Sequence, residues 1–166
     1  VRLLDIDPGY HANRTVMTFA GEAHLVVEAA FQAIKTAAIL IDLSSHKGEH
    51  PRIGATDVCP LIPISGISME ETIALSKQLA KRVAEELNIP AYLYEHSATT
   101  SERKNLAWLR KGEYEGLKAK IATPDFVPDY GDPVFNSKSG IAIIGARNFL
   151  IAYNVNLKTK DVNIAK

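Results

Sequence analysis

The sequence has 166 residues, of which 46% are hydrophobic and 23% are charged, the composition of an ordinary globular domain with a full hydrophobic core. Lysine plus arginine and aspartate plus glutamate both number 19, so the sequence lacks the basic excess that usually accompanies nucleic-acid binding. A single cysteine, Cys59, excludes an intrachain disulfide and a cysteine-rich zinc site.

The first third of the chain contains two predicted strands, one long helix and a polar loop. Alternating apolar residues predict strands at residues 2–6 and 15–20. Apolar residues that recur every three or four positions predict an amphipathic helix over residues 22–43. Two glycines and a proline mark residues 42–57 as a loop, which leads into a strand predicted at residues 56–64.

A second long helix is predicted from its capping residues. Ser68 and Glu71 have the capping-box spacing, in which each side chain satisfies a free backbone N–H of the other residue. Asn88, followed closely by a proline, predicts the end of this helix. A strand is expected at residues 91–94, and a shorter helix over residues 101–112.

The last part of the chain is predicted to be irregular and then extended. Residues 123–138 hold three prolines and several aspartates without periodicity, which is typical of an irregular excursion. Strands at residues 140–144 and 149–157 flank a short turn and predict an antiparallel hairpin. Helices and strands interleave, but the hairpins oppose a purely parallel sheet. We therefore predict an α+β domain, a layered ferredoxin-like sandwich with a mixed sheet and helices packed on one face.

Targeting and membrane segments are not recognised in the sequence. The longest apolar-rich run, residues 29–43, is interrupted by polar and charged residues and is too short for a membrane span. We expect a cytoplasmic location without membrane contact. From the charge balance, we expect small molecules or other proteins as partners, and not nucleic acid.

The loop at residues 42–57 concentrates side chains that acid–base chemistry needs. Two histidines, two basic residues and a carboxylate lie within it: His46, Lys47, Glu49, His50 and Arg52. A solvated connector is the ordinary interpretation of a polar loop, but this density favours a functional site. The pattern H-x-x-E-H of zinc proteases also fits, but it requires a helix. Gly48 and Pro51 oppose a helix here, so we predict that no metal is bound.

General acid–base catalysis by histidine remains after other chemistries are set aside. Neither a G-x-S-x-G motif nor a glycine-rich phosphate loop occurs, and Cys59 lies in an apolar run typical of a buried thiol. His50 is the preferred proton carrier because Pro51 restricts it and the adjacent Arg52 could hold an anionic substrate. His46 is more readily a surface or supporting residue.

Asp7 has two interpretations that the sequence leaves open. Asp5 and Asp7 alternate along a predicted strand and therefore point to the same face. In one interpretation, Asp7 bonds its own backbone in a turn ahead of Pro8-Gly9. In the other, its carboxylate partners a substrate cation or the catalytic histidine.

Taken together, these residues resemble the formiminotransferase family, which comprises glutamate formimidoyltransferases and the N-terminal half of formiminotransferase-cyclodeaminase. The matching stretches keep their order along nearly the whole chain. They include Leu4-Asp-Ile-Asp7, Asn13-Arg-Thr-Val16, Leu40-Ile-Asp-Leu-Ser44, His46-Lys-Gly-Glu-His-Pro-Arg52, Asp57-Val-Cys-Pro60, Arg110-Lys-Gly-Glu-Tyr114 and Gly145-Ala-Arg147.

The resemblance implies transfer of a formimino group between N-formimino-L-glutamate and tetrahydrofolate, in histidine degradation and one-carbon metabolism. It implies that His50 is the catalytic general acid and base and that Asp7 orients or stabilises the cationic formimino carbon. It assigns the binding of glutamate or of the folate tail to Asn13, Arg14, Lys47 and Arg52. It places the folate-contacting loop on residues 131–140, with Gly131, Asp132, Lys138 and Gly140 as candidate contacts.

The resemblance also has departures and alternatives. The stretch Asn136-Ser-Lys-Ser139 is more polar than its counterpart in the bifunctional enzymes, and the family's opening V-P-N-F-S-E-G motif is absent. The chain is expected to be the N-terminal subdomain, over residues 1–166, with a C-terminal subdomain and a homodimer or larger assembly as partners. A non-catalytic folate-binding or interaction module and a formyl-glutamate transferase remain as alternatives.

Overall fold

The computed structural model of the chain describes residues 1–151, 157–159, 161 and 163–164. The strands are β1 (Arg2–Gly9), β2 (Arg14–Ala20), β3 (Val58–Leu61), β4 (Ala91–Leu93) and β5 (Ala142–Ala146). The α-helices are α1 (Ala23–Leu40), α2 (Met69–Leu87), α3 (Leu106–Arg110) and α4 (Glu113–Lys120). Three single-turn 3-10 helices occur at Glu95–Ser97, Glu102–Lys104 and Pro124–Phe126.

The strands form two sheets. β1 and β2 make an antiparallel hairpin, and β3, β5 and β4 make a parallel sheet in that order, with β5 in the centre. The predicted α+β class with a layered arrangement is confirmed. In the parallel sheet α2 connects the two outer strands, and β5, the last strand among the described residues, inserts between them.

The parallel sheet buries both of its faces, because successive side chains of a strand point in opposite directions. On one face, Leu93 and Ile144 pack against the buried sides of α1 and α2. On the other face, Tyr92 and Ile143 pack against residues of α3 and α4. The two long helices therefore share one face, and short helices cover the other.

The two long helices form as predicted and contact each other through a charged side chain. The capping box at the start of α2 is present, with the Ser68 hydroxyl accepting from the Glu71 amide and the Glu71 carboxylate accepting from the Ser68 amide. The guanidinium of Arg82 on α2 lies 3.6 Å from the centre of the Phe31 ring on α1 and pairs with Glu28. These contacts hold α1 and α2 side by side over the sheet.

Several predicted elements differ from the structure. β1 extends to Gly9 and includes Pro8, so of the two interpretations of Asp7, the one that placed a turn at Pro8-Gly9 is wrong. Within the described residues β1 pairs only with β2, so the missing N–H of Pro8 is tolerated on the free edge. The helix predicted at residues 101–112 is split into a 3-10 turn and the five-residue α3. The strand predicted at residues 149–157 falls largely outside the described residues, so its hairpin stays a prediction.

α1 is long and apolar enough to cross a membrane by length and composition alone, contrary to the expectation from the sequence. Its contacts are nevertheless those of a helix on a protein core, since Ala30, Phe31 and Ile34 are buried against α2 and the sheet. Core helices pass the same criterion, so this property is only a weak indication of a membrane segment.

Candidate active site

The tip of the β1–β2 hairpin rests on the polar loop that the sequence singled out. The loop is not helical between residues 46 and 52, as Gly48 and Pro51 predict. The ring Nε2 of His46 lies 2.8 Å from the carbonyl oxygen of Asn13, and the Asn13 side-chain amide donates to the Lys47 carbonyl at 2.6 Å. The Glu49 amide donates to the carbonyl oxygen of His11 at 3.0 Å. These hydrogen bonds hold the loop against the hairpin tip.

Two backbone features make this close approach possible. Asn13 adopts a left-handed conformation with φ of 47°, which asparagine tolerates better than most residues. Gly48 lies so close to the hairpin that an added Cβ would stand 2.4 Å from the Ala12 carbonyl oxygen. A side chain at this position would push the loop away from the hairpin tip.

Arg14 and His50 meet where the hairpin and the loop come together. Arg14 Nη1 lies 3.1 Å from His50 Nε2. A guanidinium can only donate hydrogen bonds, so this contact requires a lone pair on His50 Nε2 and leaves the ring proton of the neutral form on Nδ1. His50 is partly exposed, and in this arrangement the lone pair of its Nε2 is occupied by Arg14.

Arg52 is buried and engaged by protein groups. Both terminal nitrogens of its guanidinium donate to the Glu115 carboxylate, at 3.1 and 2.7 Å, and Nη1 lies 3.5 Å from Glu113. Nη2 also donates to the carbonyl oxygen of His46 at 3.0 Å. The hydrogen bonds from Arg52 lower the pKa of Glu115 and, reciprocally, raise the pKa of Arg52. Substrate binding by Arg52 stays a prediction. For a substrate to bind the guanidinium, it would have to replace one of these protein groups as a hydrogen-bond acceptor.

The end of the loop is fixed by Asp57. Its carboxylate accepts from the Ile53 amide at 2.8 Å and forms an ion pair with Arg110 at the end of α3. Just before this point, Gly54 and Gly140 face each other in an isolated antiparallel bridge. The loop is therefore anchored at both ends, to the hairpin tip and to the body of the domain.

The predicted folate loop, residues 131–140, divides into two parts. Gly131 and Asp132 line a cavity of about 560 Å³ between this loop and the end of α2. The cavity also has apolar side chains, among them Phe135, and the polar ends of Asn88 and other residues. Its volume lies in the range of small-molecule sites.

The second part of that loop is built into the fold. Lys138 Nζ donates to the Ile39 carbonyl at 2.8 Å, and thus satisfies a free carbonyl near the end of α1. Gly140 is buried, and an added Cβ would stand 2.1 Å from the Ile53 carbonyl oxygen. Neither residue lines the cavity, so their contacts with folate stay predictions without support from this arrangement.

The remaining predicted residues are exposed. Asp7 pairs with Val16 in the hairpin register, and its side chain shares a face with that of Asp5. Lys47 is exposed and contributes its carbonyl oxygen to the contact with Asn13. Both side chains are accessible to a ligand near the hairpin.

Sequence reasoning missed the part played by α4. The backbone amide of Tyr114 donates to the Arg52 carbonyl at 2.9 Å, and Glu115 follows directly. Gly112 and Glu113 both have positive φ, which turns the chain sharply into α4 and directs its first residues toward Arg52. The only signal in the sequence was Gly112, followed by the acidic residues Glu113 and Glu115 at a helix start. The sequence did not show that Glu115 would pair with Arg52, which lies 63 positions away.

Comparisons with known proteins agree with the resemblance seen in the sequence. Residues 1–147 match the family described as formiminotransferase domain, N-terminal subdomain. The chain is 52% identical over 160 residues to a formimidoyltransferase-cyclodeaminase of Mus musculus, which covers 96% of this chain and 30% of that protein. It is 48% identical over 165 residues to a glutamate formimidoyltransferase of Streptococcus pyogenes serotype M1, covering 99% of this chain and 55% of that protein.

A protein of Thermoplasma acidophilum, also named glutamate formimidoyltransferase, is 46% identical over 168 residues, covering 100% of this chain and 55% of that protein. The chain therefore spans between 30% and 55% of the length of these curated relatives. Similarity at this level extends through the hairpin, the polar loop and the parallel sheet, because the matched region includes all of them.

Proposed function

This chain belongs to the formiminotransferase family as the N-terminal subdomain of the formiminotransferase domain, and we propose that the complete protein transfers a formimino group between N-formimino-L-glutamate and tetrahydrofolate. Tetrahydrofolate is the co-substrate in this proposal, and no metal takes part. The proposal rests on the names of the relatives for the reaction and on the contact between Arg14 and His50 for the residue that carries the proton.

The transfer needs one group that both accepts and donates a proton. The formimino carbon forms a bond to the attacking amine of the folate and breaks its bond to the glutamate nitrogen. The attacking amine loses a proton, and the leaving amine gains one. In this proposal Arg14 releases Nε2 of His50 when the substrate binds. Nε2 then takes the first proton and returns it to the leaving nitrogen, because imidazole exchanges protons readily near neutral pH.

The neighbouring residues have distinct parts in this proposal. Arg14 orients the imidazole of His50 before the substrate is bound, and its guanidinium then binds a carboxylate of glutamate. Asp7, exposed on β1, orients or stabilises the cationic formimino carbon. Asn13, Lys47 and Arg52 were assigned to substrate from the resemblance. Of these, Lys47 has the accessible cationic side chain.

We propose that the cavity beside residues 131–136 receives the ring of the folate, which its mixed apolar and polar lining supports. Phe135 and Ile89 supply apolar surface, while Asp132 and the amide of Asn88 supply polar groups at the rim. A carboxylate such as Asp132 can accept hydrogen bonds from an amino-substituted heterocycle. In this proposal a C-terminal subdomain completes the folate site, the protein works in the cytoplasm, and it assembles as a homodimer or larger.

The test is an assay of the complete protein with tetrahydrofolate and N-formimino-L-glutamate, and in parallel with N-formyl-L-glutamate. His50→Ala is expected to lower kcat by roughly 100-fold or more, since general acid–base catalysis contributes at least that factor. His24→Ala removes an exposed histidine of α1 and serves as the matched control, with unchanged kcat. Wild-type protein that transfers neither group would refute the proposed function, and an active His50→Ala variant would remove His50 from it.

A further inference from the structure

His46 is oriented so that it cannot serve as a second proton carrier. Its Nε2 lies 2.8 Å from the carbonyl oxygen of Asn13, and a carbonyl oxygen only accepts, so Nε2 carries the ring proton. Its Nδ1 is buried and has no hydrogen-bond partner in the part of the chain that the structure describes. A proton arriving at Nδ1 would have neither solvent nor an acceptor group beside it.

Asn13 is committed to the loop through both its backbone and its side chain. Its carbonyl oxygen accepts from His46, and its side-chain amide donates to the Lys47 carbonyl at 2.6 Å. The left-handed backbone at Asn13 aims both groups at the loop. The loop therefore engages the backbone carbonyl of Asn13 and one N–H of its side-chain amide.

We propose that Asn13 and His46 form a latch that positions Arg14 against His50. The latch consists of two hydrogen bonds, from the His46 ring to the Asn13 carbonyl and from the Asn13 side chain to the Lys47 carbonyl. Arg14 follows Asn13 directly, and His50 follows His46 by four residues within a loop restricted by Pro51. The two bonds therefore fix the distance between the segments that carry the proton-transfer pair. In this proposal Asn13 and His46 are positioning residues and do not touch the substrate.

The buried guanidinium of Arg52 also stabilises the latch, through the backbone of His46. Arg52 Nη2 donates to the carbonyl oxygen of His46, while the Glu115 carboxylate holds the same guanidinium from α4. His46 is thus held at its ring by the hairpin and at its backbone by the core of the domain. The hairpin needs such a contact, because most of its residues are exposed on both faces.

The effect of the latch on catalysis rests on the proposed function. The test therefore includes two measurements, and one of them does not depend on enzymatic activity. In the complete protein, His46→Gln keeps an N–H donor at a similar reach and cannot titrate, whereas His46→Ala removes the donor. We expect His46→Ala to lower kcat by roughly 10- to 100-fold with KM changed by less than about threefold, as for a misplaced catalytic group. His46→Gln is expected to retain at least about a third of wild-type kcat, with an unchanged pH profile.

The measurement that does not depend on activity is the hydrogen-exchange protection of backbone amides. The Glu49 amide, which donates to the hairpin, is expected to lose protection in His46→Ala and to keep it in His46→Gln. Asn13→Gly keeps the left-handed backbone and removes only the side chain, so it provides a second route if His46→Ala folds poorly. Unchanged Glu49 protection in both His46→Ala and Asn13→Gly would overturn the latch, whether or not the protein is an active transferase.

The kinetic outcomes separate the latch from other roles of the same residues. A His46→Gln variant as inactive as His46→Ala, with Glu49 still protected, would overturn the assignment and make His46 a proton carrier. A rise in KM without a change in kcat in Asn13→Gly would overturn it in favour of substrate binding.

Discussion

Arg14 Nη1 lies 3.1 Å from Nε2 of His50, although the two residues are 36 positions apart in the chain. A group that only donates is paired here with the imidazole nitrogen to which the proposed function gives the proton transfer. The hairpin therefore contributes directly to the chemistry of the loop. Four predictions follow from this and other contacts of the fold.

Replacing Arg14 should damage catalysis without unfolding the protein, because the residue is exposed. Arg14→Ala is expected to lower kcat/KM by roughly 100-fold, since it removes both the orientation of His50 and a binding site for carboxylate. Arg14→Lys should restore little, because a lysine lacks the planar fork. Arg2→Ala, at the far end of the same hairpin, is the control and should behave as wild type. The measurement is steady-state kinetics of the complete protein. Equal activity of Arg14→Ala and wild type would exclude a role of Arg14 in orienting His50 or binding carboxylate.

The pair between Arg52 and Glu115 should make stability depend on pH in acid. Hydrogen bonds from Arg52 lower the pKa of Glu115 below its ordinary value in the folded state. The ionised carboxylate therefore contributes stability above the ordinary pKa, and this contribution is lost as pH falls through the lowered one. As pH falls below the ordinary glutamate pKa of 4.5, wild-type protein is expected to lose more unfolding free energy than Glu115→Gln.

Urea unfolding at several pH values measures this difference. Glu85→Gln provides the control, because its ion pair with Lys81 is exposed on both sides and contributes little. Its pH dependence should match that of wild type. Parallel curves for wild type and Glu115→Gln would show that the Arg52 pair does not contribute in this way.

Cys59 should be inert in the folded state. Burial raises the pKa of its thiol to about 12 from an ordinary value of 9.0, so the thiolate that reacts with alkylating agents is scarce at neutral pH. Because the folded pKa is the higher one, the protonated thiol favours the folded state, and this contribution is lost as pH rises from about 9 to about 12.

Alkylation followed by mass spectrometry of the peptide that contains Cys59 provides the measurement. We expect negligible labelling at about pH 8 without denaturant and complete labelling in denaturant, since only the unfolded chain presents a reactive thiol. Rapid labelling of the native protein would contradict the raised pKa of this thiol.

Gly140 should tolerate no side chain. Its φ is 63°, and an added Cβ would stand 2.1 Å from the Ile53 carbonyl oxygen. Gly140→Ala is expected to lose about 3 kcal/mol or more of unfolding free energy, through backbone strain and displacement of the bridge with Gly54. Gly116→Ala, within α4, meets no atom within 4 Å and is expected to gain about 0.5–1 kcal/mol. Denaturant unfolding of both variants distinguishes the effect of close packing at Gly140 from a general effect of replacing glycine. A Gly140→Ala variant as stable as wild type would disprove the close approach of Gly140 to the Ile53 carbonyl.

Local signals in the sequence determined much of the secondary structure. The bonds between Ser68 and Glu71 span three positions, and the apolar periodicity of α1 and α2 repeats within one turn, so both can be recognised along the chain. Gly48 and Pro51 likewise excluded a helix in the polar loop through their own backbone preferences. The limits of α1 and β1 were less well predicted, because each is set by contacts with another element.

The tertiary structure alone decided which distant residues meet. The insertion of β5 between β3 and β4 depends on packing against both faces of the sheet, and no local pattern encodes the partner of a parallel strand. Nothing in the sequence around Arg52 indicates that it forms an ion pair with Glu115 on α4.

The sequence by itself therefore determined the helices, the polar loop and the family to which His50 and its neighbours point, because these depend on residue type and short spacing. Only the tertiary structure decided that His46 faces Asn13 while His50 faces Arg14. The two histidines are four residues apart in one loop, and their different parts come from the hairpin that packs against them.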